Sequence, residues 1–154
     1  MTELPPIERR ITLRMLAYWE KLREGRDMPG EHDINRDDIA DLWDSCFLIH
    51  TRNLREHDYN YTYLGQKILD AYEHGLSEDS ANGIVSPNAS KLSGSFSKVM
   101  EENKPLTEEG EFTCELLGTV KYRQCFVPLG EHGQVDAILG GMHFKIFPVE
   151  ALKS

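Results

Sequence analysis

The sequence is poor in cysteine, in long apolar runs and in positive charge. Three cysteines stand in 154 residues, Cys46, Cys114 and Cys125, and no two form a C-x-x-C pair. An odd, scattered set makes no disulfide framework and fits a reducing, cytoplasmic setting. No apolar run approaches the ~18–20 residues that cross a bilayer. Met1-Thr2-Glu3-Leu4-Pro5-Pro6 also lacks the apolar core of a secretion signal. Lys and Arg number 17 against 26 Asp and Glu, a formal net charge of −9. That excess repels phosphate backbones and anionic lipid, so neither nucleic acid nor membrane is an expected partner. Catalytic signatures are missing too: there is no G-x-S-x-G, no H-E-x-x-H and no Walker loop. The chain is expected to be a single non-enzymatic domain.

What is there is periodic. Ile11, Met15, Trp19 and Leu22 recur at helical spacing within residues 7–24, with Gly25 as a stop. Asn35 is placed to cap a second, short helix whose first turn holds Asp37 and Asp38. Cys46 to Thr51 is β-favouring, and Tyr59, Tyr61 and Tyr63 alternate with Asn60 and Thr62, which predicts a hairpin. Gln66 to His74 reads as a helix before Gly75, and residues 76–90 as a long polar loop. Leu92, Phe96, Val99 and Met100 mark another helix. The last third reads as three strands: 112–117, a Gly118-Thr119 turn, 120–129, a turn at 130–133, then 135–147. Gly140-Gly141 inside the last strand predicts a bulge or a close approach of backbone. The order specifies an α+β fold, an antiparallel sheet covered by helices on one face.

Several segments in this order resemble a PAS domain, best a small bacterial PAS family with an N-terminal helix. They are Tyr18-Trp19-Glu20-Lys21-Leu22-Arg23-Glu24-Gly25-Arg26-Asp27-Met28-Pro29, the stretch Ile39 to Ile49, and Tyr61-Thr62-Tyr63-Leu64-Gly65-Gln66-Lys67-Ile68. Phe126-Val127-Pro128-Leu129 followed by Gly133 to Gly140 completes the set. Ile34-Asn35 stands where such proteins often carry Asp-Pro. The resemblance implies a five-stranded antiparallel sheet in the order 2-1-5-4-3 and a role in sensing or protein contact. It divides the chain into an N-terminal helical extension (1–38), a PAS-like domain (39–148) and a tail (149–154). A PAS core in so short a chain leaves little room for an output domain, so signalling is expected through contact with another molecule.

No cofactor is indicated. The flavin-binding "NCRFL" run is absent, and the three cysteines sit in predicted strands as apolar fillers. No histidine stands where a haem ligand is needed on a pocket helix, His74 being at a helix end and His50 and His143 in strands. Glu31-His32-Asp33 and Glu56-His57-Asp58 are adjacent side chains that do not converge on a metal. Glu108-Glu109 and Glu101-Glu102 read as solvated pairs. A cavity between sheet and helices would be lined by Phe47, Tyr61, Tyr63, Phe96, Met100, Cys125, Val127, Ile138 and Met142, with Tyr63, Arg123 or Gln124 as polar handles. The same aromatics could instead fill a core. Ile11, Met15, Trp19 and Leu22 need cover, either from the chain's own sheet or from a second copy in a homodimer. The function expected is a stand-alone sensory or regulatory module that binds an unidentified small molecule or a protein. The alternatives are an interaction scaffold with a filled core and, behind it, a small enzyme using His50 with Asp136.

Overall fold

A computed structural model describes residues 7–76 and 83–148. The tail at 149–154, residues 1–6 and part of the long polar loop (77–82) lie outside the described residues. The elements run α1 (Ile7–Arg23), α2 (Ala40–Trp43), β1 (Cys46–His50), α3 (Thr51–Arg55), β2 (Tyr63–Leu64), α4 (Gln66–Glu73), α5 (Ser93–Glu102), β3 (Leu106–Cys114), β4 (Gly118–Glu131) and β5 (Gln134–Phe147). The five strands form one antiparallel sheet in the order β2-β1-β5-β4-β3.

α1 stops where the sequence says it should, with Gly25 at φ +82° just past its end. The Asn35 cap is also present: its side chain accepts from the Asp37 N–H at 3.0 Å, opening a short 3-10 turn at Arg36–Ile39. The β4–β5 turn is the two-residue pair His132-Gly133, both at positive φ (54° and 75°), as a tight twisted hairpin requires. Three expectations are corrected. β2 is two residues, because Tyr61 leaves the alternation and turns toward Phe47. β3 begins at Leu106, six residues earlier than the apolar pattern indicates, because an edge strand tolerates the run Thr107-Glu108-Glu109-Gly110-Glu111. Its turn is Glu115-Leu116-Leu117, with Gly118 pairing back to Cys114 at φ +108°.

β5 lies at the centre of the sheet and is covered on both faces. Gly140 and Gly141 keep an unbroken register with Phe126 and Cys125, so they are no bulge; the irregularity falls at Leu129/Gly130. They are a close approach. A Cβ on Gly140 would lie 2.2 Å from the Phe47 ring and 2.9 Å from Phe126, and one on Gly141 would lie 2.7 Å from the Met15 sulfur and 3.3 Å from Ile11. Gly140 therefore marks the face under the later helices. Gly141 marks the face under α1, which packs on β4 and β5. Pairing assigns the rest: Phe47, Ile49, Gln124, Phe126, Ile138 and Met142 share the Gly140 face, and Cys46, Cys125, Val127 and Leu139 share the Gly141 face.

Pro128 sits in β4 beyond the last β3 pair, Leu106 with Phe126, where the strand has one neighbour and its missing N–H breaks no ladder. Its carbonyl accepts the Trp19 indole N–H at 2.7 Å. Gly140→Ala is expected to destabilise by about 1–3 kcal/mol through overpacking against two buried rings. Equilibrium urea unfolding measures it, with Gly94→Ala, where an added Cβ meets nothing within 4 Å, as the control.

Candidate functional site

The helical side of the sheet is where a ligand cavity would form. β1 brings Phe47, β4 brings Phe126 and α5 brings Phe96, each 0–1% exposed. Their ring centroids lie 5.8 Å (Phe47–Phe126), 5.9 Å (Phe47–Phe96) and 6.1 Å (Phe96–Phe126) apart, and Tyr61 closes on Phe47 edge-on at 5.1 Å. These are the tilted and edge-to-face separations of packed aromatic cores. Ile138 is fully buried on the same face, and Met100 is partly buried beside the cluster. Met142 lines a cavity of only about 80 Å³ with Ser45, Lys67, Ile68, His143 and Phe144.

Gln124 brings a polar group into this interior. Gln124 is fully buried, and its amide is saturated. Nε2 donates to Glu108 Oε1 at 2.7 Å and to the Gly83 carbonyl at 3.0 Å, while Oε1 accepts from the Val85 N–H at 3.0 Å. Ser95 Oγ donates to the same Glu108 carboxylate at 3.1 Å. Tyr61 O–H donates to the Ser86 carbonyl at 2.7 Å and Tyr72 O–H to the Val85 carbonyl at 2.9 Å. Segment 83–86 is thus pinned to the sheet by side chains from β4, α4 and the β2 approach. Glu108 escapes the sequence reading because its neighbour Glu109 is solvated. The signal is the alternation Leu106-Glu108-Gly110-Phe112, which puts Glu108 on the inner face of β3.

Arg123, Cys125 and Val127 do not join this interior. They alternate with Gln124 and Phe126 and so point to the α1 face. Arg123 pairs there with Glu109 at 2.9 Å. Tyr63 is also elsewhere: paired with Leu48, it stacks on Trp43 at 4.7 Å and donates to the Trp43 carbonyl at 2.9 Å. Of the three polar handles, only Gln124 faces inward.

The N-terminal helix spends its apolar face on the chain's own sheet. Ile11 and Met15 are 1–2% exposed and Trp19 is 9% exposed, under an Arg23 guanidinium 5.6 Å from its ring centre. This corrects the homodimer use of these three residues; Leu22 is half-buried at the margin. His50 does not meet Asp136. Its ring is held between Glu31 Oε1 at 2.8 Å and Thr62 Oγ1 at 2.7 Å, so the catalytic pair weighed for these residues is not assembled.

Burial, with Cys125, Asp41 and Asp44 adding to it, pushes the Cys46 thiol up to about 12, and burial pushes Cys125 up to about 12. Both are packing groups beneath α1 rather than nucleophiles.

A model of the PAS domain family matches residues 7–143, α1 included, and the chain belongs to that family. Its members are generally sensory and signalling modules rather than catalysts. Among solved structures, the PAS domain of Bordetella pertussis BvgS is similar at 19% identity over 70% of this chain and 81% of that one, with a TM-score of 0.41. No curated protein matches the chain. No helix among the described residues is long and apolar enough to cross a membrane.

Two outcomes are expected. Gln124→Leu strands the Val85 N–H and the Gly83 carbonyl and takes one donor from the Glu108 carboxylate, which keeps Ser95 Oγ, and should cost about 1–3 kcal/mol. Hydrogen exchange should accelerate at 83–86 before the rest of the fold. Separately, the folded thiols stay protonated where unfolded ones, near 9.0, ionise. The unfolded state then holds fewer protons, so stability falls as pH rises from about 9 toward 12. Urea titrations across that window should show a slope that shrinks in Cys46→Ala/Cys125→Ala.

Proposed function

We propose that this protein is a PAS-type regulatory module that signals through contact with another protein, its helical-side interior being already filled. The observation that carries this is the trio Phe47, Phe96 and Phe126, packed ring to ring where a ligand would sit. An apolar guest of ordinary size needs a few hundred Å³, against about 80 Å³ beside Met142. Phe47, Tyr61, Phe96, Met100, Ile138 and Met142 are in this reading core residues whose packing sets the shape of the sheet. The 1–38 segment acts as an N-terminal extension, of which α1 roofs the 39–148 unit, and 149–154 is a tail. The setting is cytoplasmic, and neither catalysis nor a resident cofactor is part of the role.

A second reading, small-ligand sensing, draws on Gln124. A ligand with its own donor and acceptor could replace the backbone groups of Gly83 and Val85 and release segment 83–86.

Native mass spectrometry of the freshly purified full chain separates the two. The protein-contact reading expects the mass of the polypeptide alone. A stoichiometric small molecule, lost on unfolding, overturns it in favour of the ligand reading.

A further inference from the structure

β3 is the long open edge of the sheet. It pairs with β4 from Leu106 to Cys114, and among the described residues no strand lies on its other side. Edges of this kind are normally blunted by proline, lysine or a bulge within the strand. β3 holds no proline, lysine or bulge across its nine residues; its charges are Glu108, which turns inward, and Glu109 and Glu111, which do not.

Two of its three carboxylates share the outer face. On the α1 face, Glu109 and Glu111 stand in a column with Thr107 and Thr113, all exposed. Across the ladder, β4 presents Arg123 opposite Glu109 and Lys121 opposite Glu111. The pairs measure 2.9 Å and 4.0 Å, and the two carboxylates remain 64% and 61% exposed. The acidic column is therefore matched from the β4 side and unmatched on the open side. On the other face Phe112 leans on Tyr122, its ring centre 6.2 Å away, leaving an apolar step at the edge.

A second copy of the chain fits the longest registers of this edge badly. An antiparallel self-pairing centred on Gly110 sets Glu109 against Glu111 of the other copy, twice. Sliding the centre to Glu109 or Glu111 sets that residue against itself. Like charges directly opposed across strands are destabilising.

We infer that the β3 edge receives an extended segment of a partner protein that alternates Lys or Arg with apolar residues. The segment adds as a sixth strand, its basic side chains beside Glu109 and Glu111 and its apolar ones beside Phe112. Main-chain hydrogen bonds supply affinity, and the charge column supplies register and selectivity. This rests on the protein-contact reading and names the surface and the partner's chemistry.

The test uses the full chain and a nine-residue synthetic peptide alternating lysine with valine and threonine. Its control is the same peptide with glutamate for lysine. The lysine peptide should bind, more weakly as salt rises, and should slow hydrogen exchange at amides within 106–114 while leaving β1 and β5 unchanged. Glu109→Lys/Glu111→Lys should lower its affinity by at least about tenfold. If that variant does not fold, Glu109→Gln/Glu111→Gln gives a smaller loss of the same sign. Equal binding of both peptides, or protection elsewhere than 106–114, overturns the inference. So does the absence of binding by the lysine peptide. None of these results bears on the protein-contact reading, which falls instead to a small molecule found in the purified chain.

Discussion

Both covering layers of this protein come to rest on two residues without side chains. Gly140 and Gly141 are consecutive in the central strand, so they face opposite ways, and each admits a different layer. Through Gly140 the Phe47 ring lies against the β5 backbone, with Phe126 beside it and Phe96 above. Through Gly141 the Met15 sulfur and Ile11 bring α1 down onto the other face. A methyl group at Gly140 meets two buried rings with no slack to yield, and one at Gly141 forces the Met15 side chain to move. The α1 roof and the aromatic core are thus set by adjacent positions on one strand, and displacement of one layer is felt across a single sheet thickness.

In the proposed protein-contact reading, that geometry gives signalling a physical form. The helical side is closed by rings and by the saturated Gln124 amide, and segment 83–86 is tied to it by three side chains. The other side is closed by α1 only in part, since Arg123, Lys121, Glu109 and Glu111 lie beyond it. A partner that binds the uncovered part acts on β4, whose alternate residues are the floor of the aromatic core. The sheet is the shared wall, and coupling needs only that the partner favour one packing of that wall over another.

The fold was legible where a local rule had no competitor. The Gly25 stop, the Asn35 cap and the β4–β5 turn follow from residue chemistry at the place where it acts, while the strand order comes only with the resemblance to PAS domains. Elements failed where a tertiary neighbour decides. Thr107 to Glu111 carries no apolar period, yet forms a strand because β4 offers nine consecutive partners. Alternation separates Tyr122, Gln124 and Phe126 from Arg123, Cys125 and Val127 on β4, but it does not say which set points to the helices. Choosing cysteine and valine as lining and treating arginine as a handle put those three under or beside α1. The glycine pair held the missing information. Phe47, opposite Gly140, is an aromatic that must cover a bare backbone, and that fixes the inner face for β1, β5 and β4 together.

Trp19 carries a further consequence. Its indole is the seam between α1 and the sheet, hydrogen-bonded to the Pro128 carbonyl and roofed by Arg23. The chain's other tryptophan, Trp43, is stacked on Tyr63, away from that bond. The molecule therefore contains an optical gauge of its own architecture, since indole emission shifts when its N–H exchanges a buried carbonyl for water. With Trp43 replaced by phenylalanine, the colour of the light reports whether the roof is on.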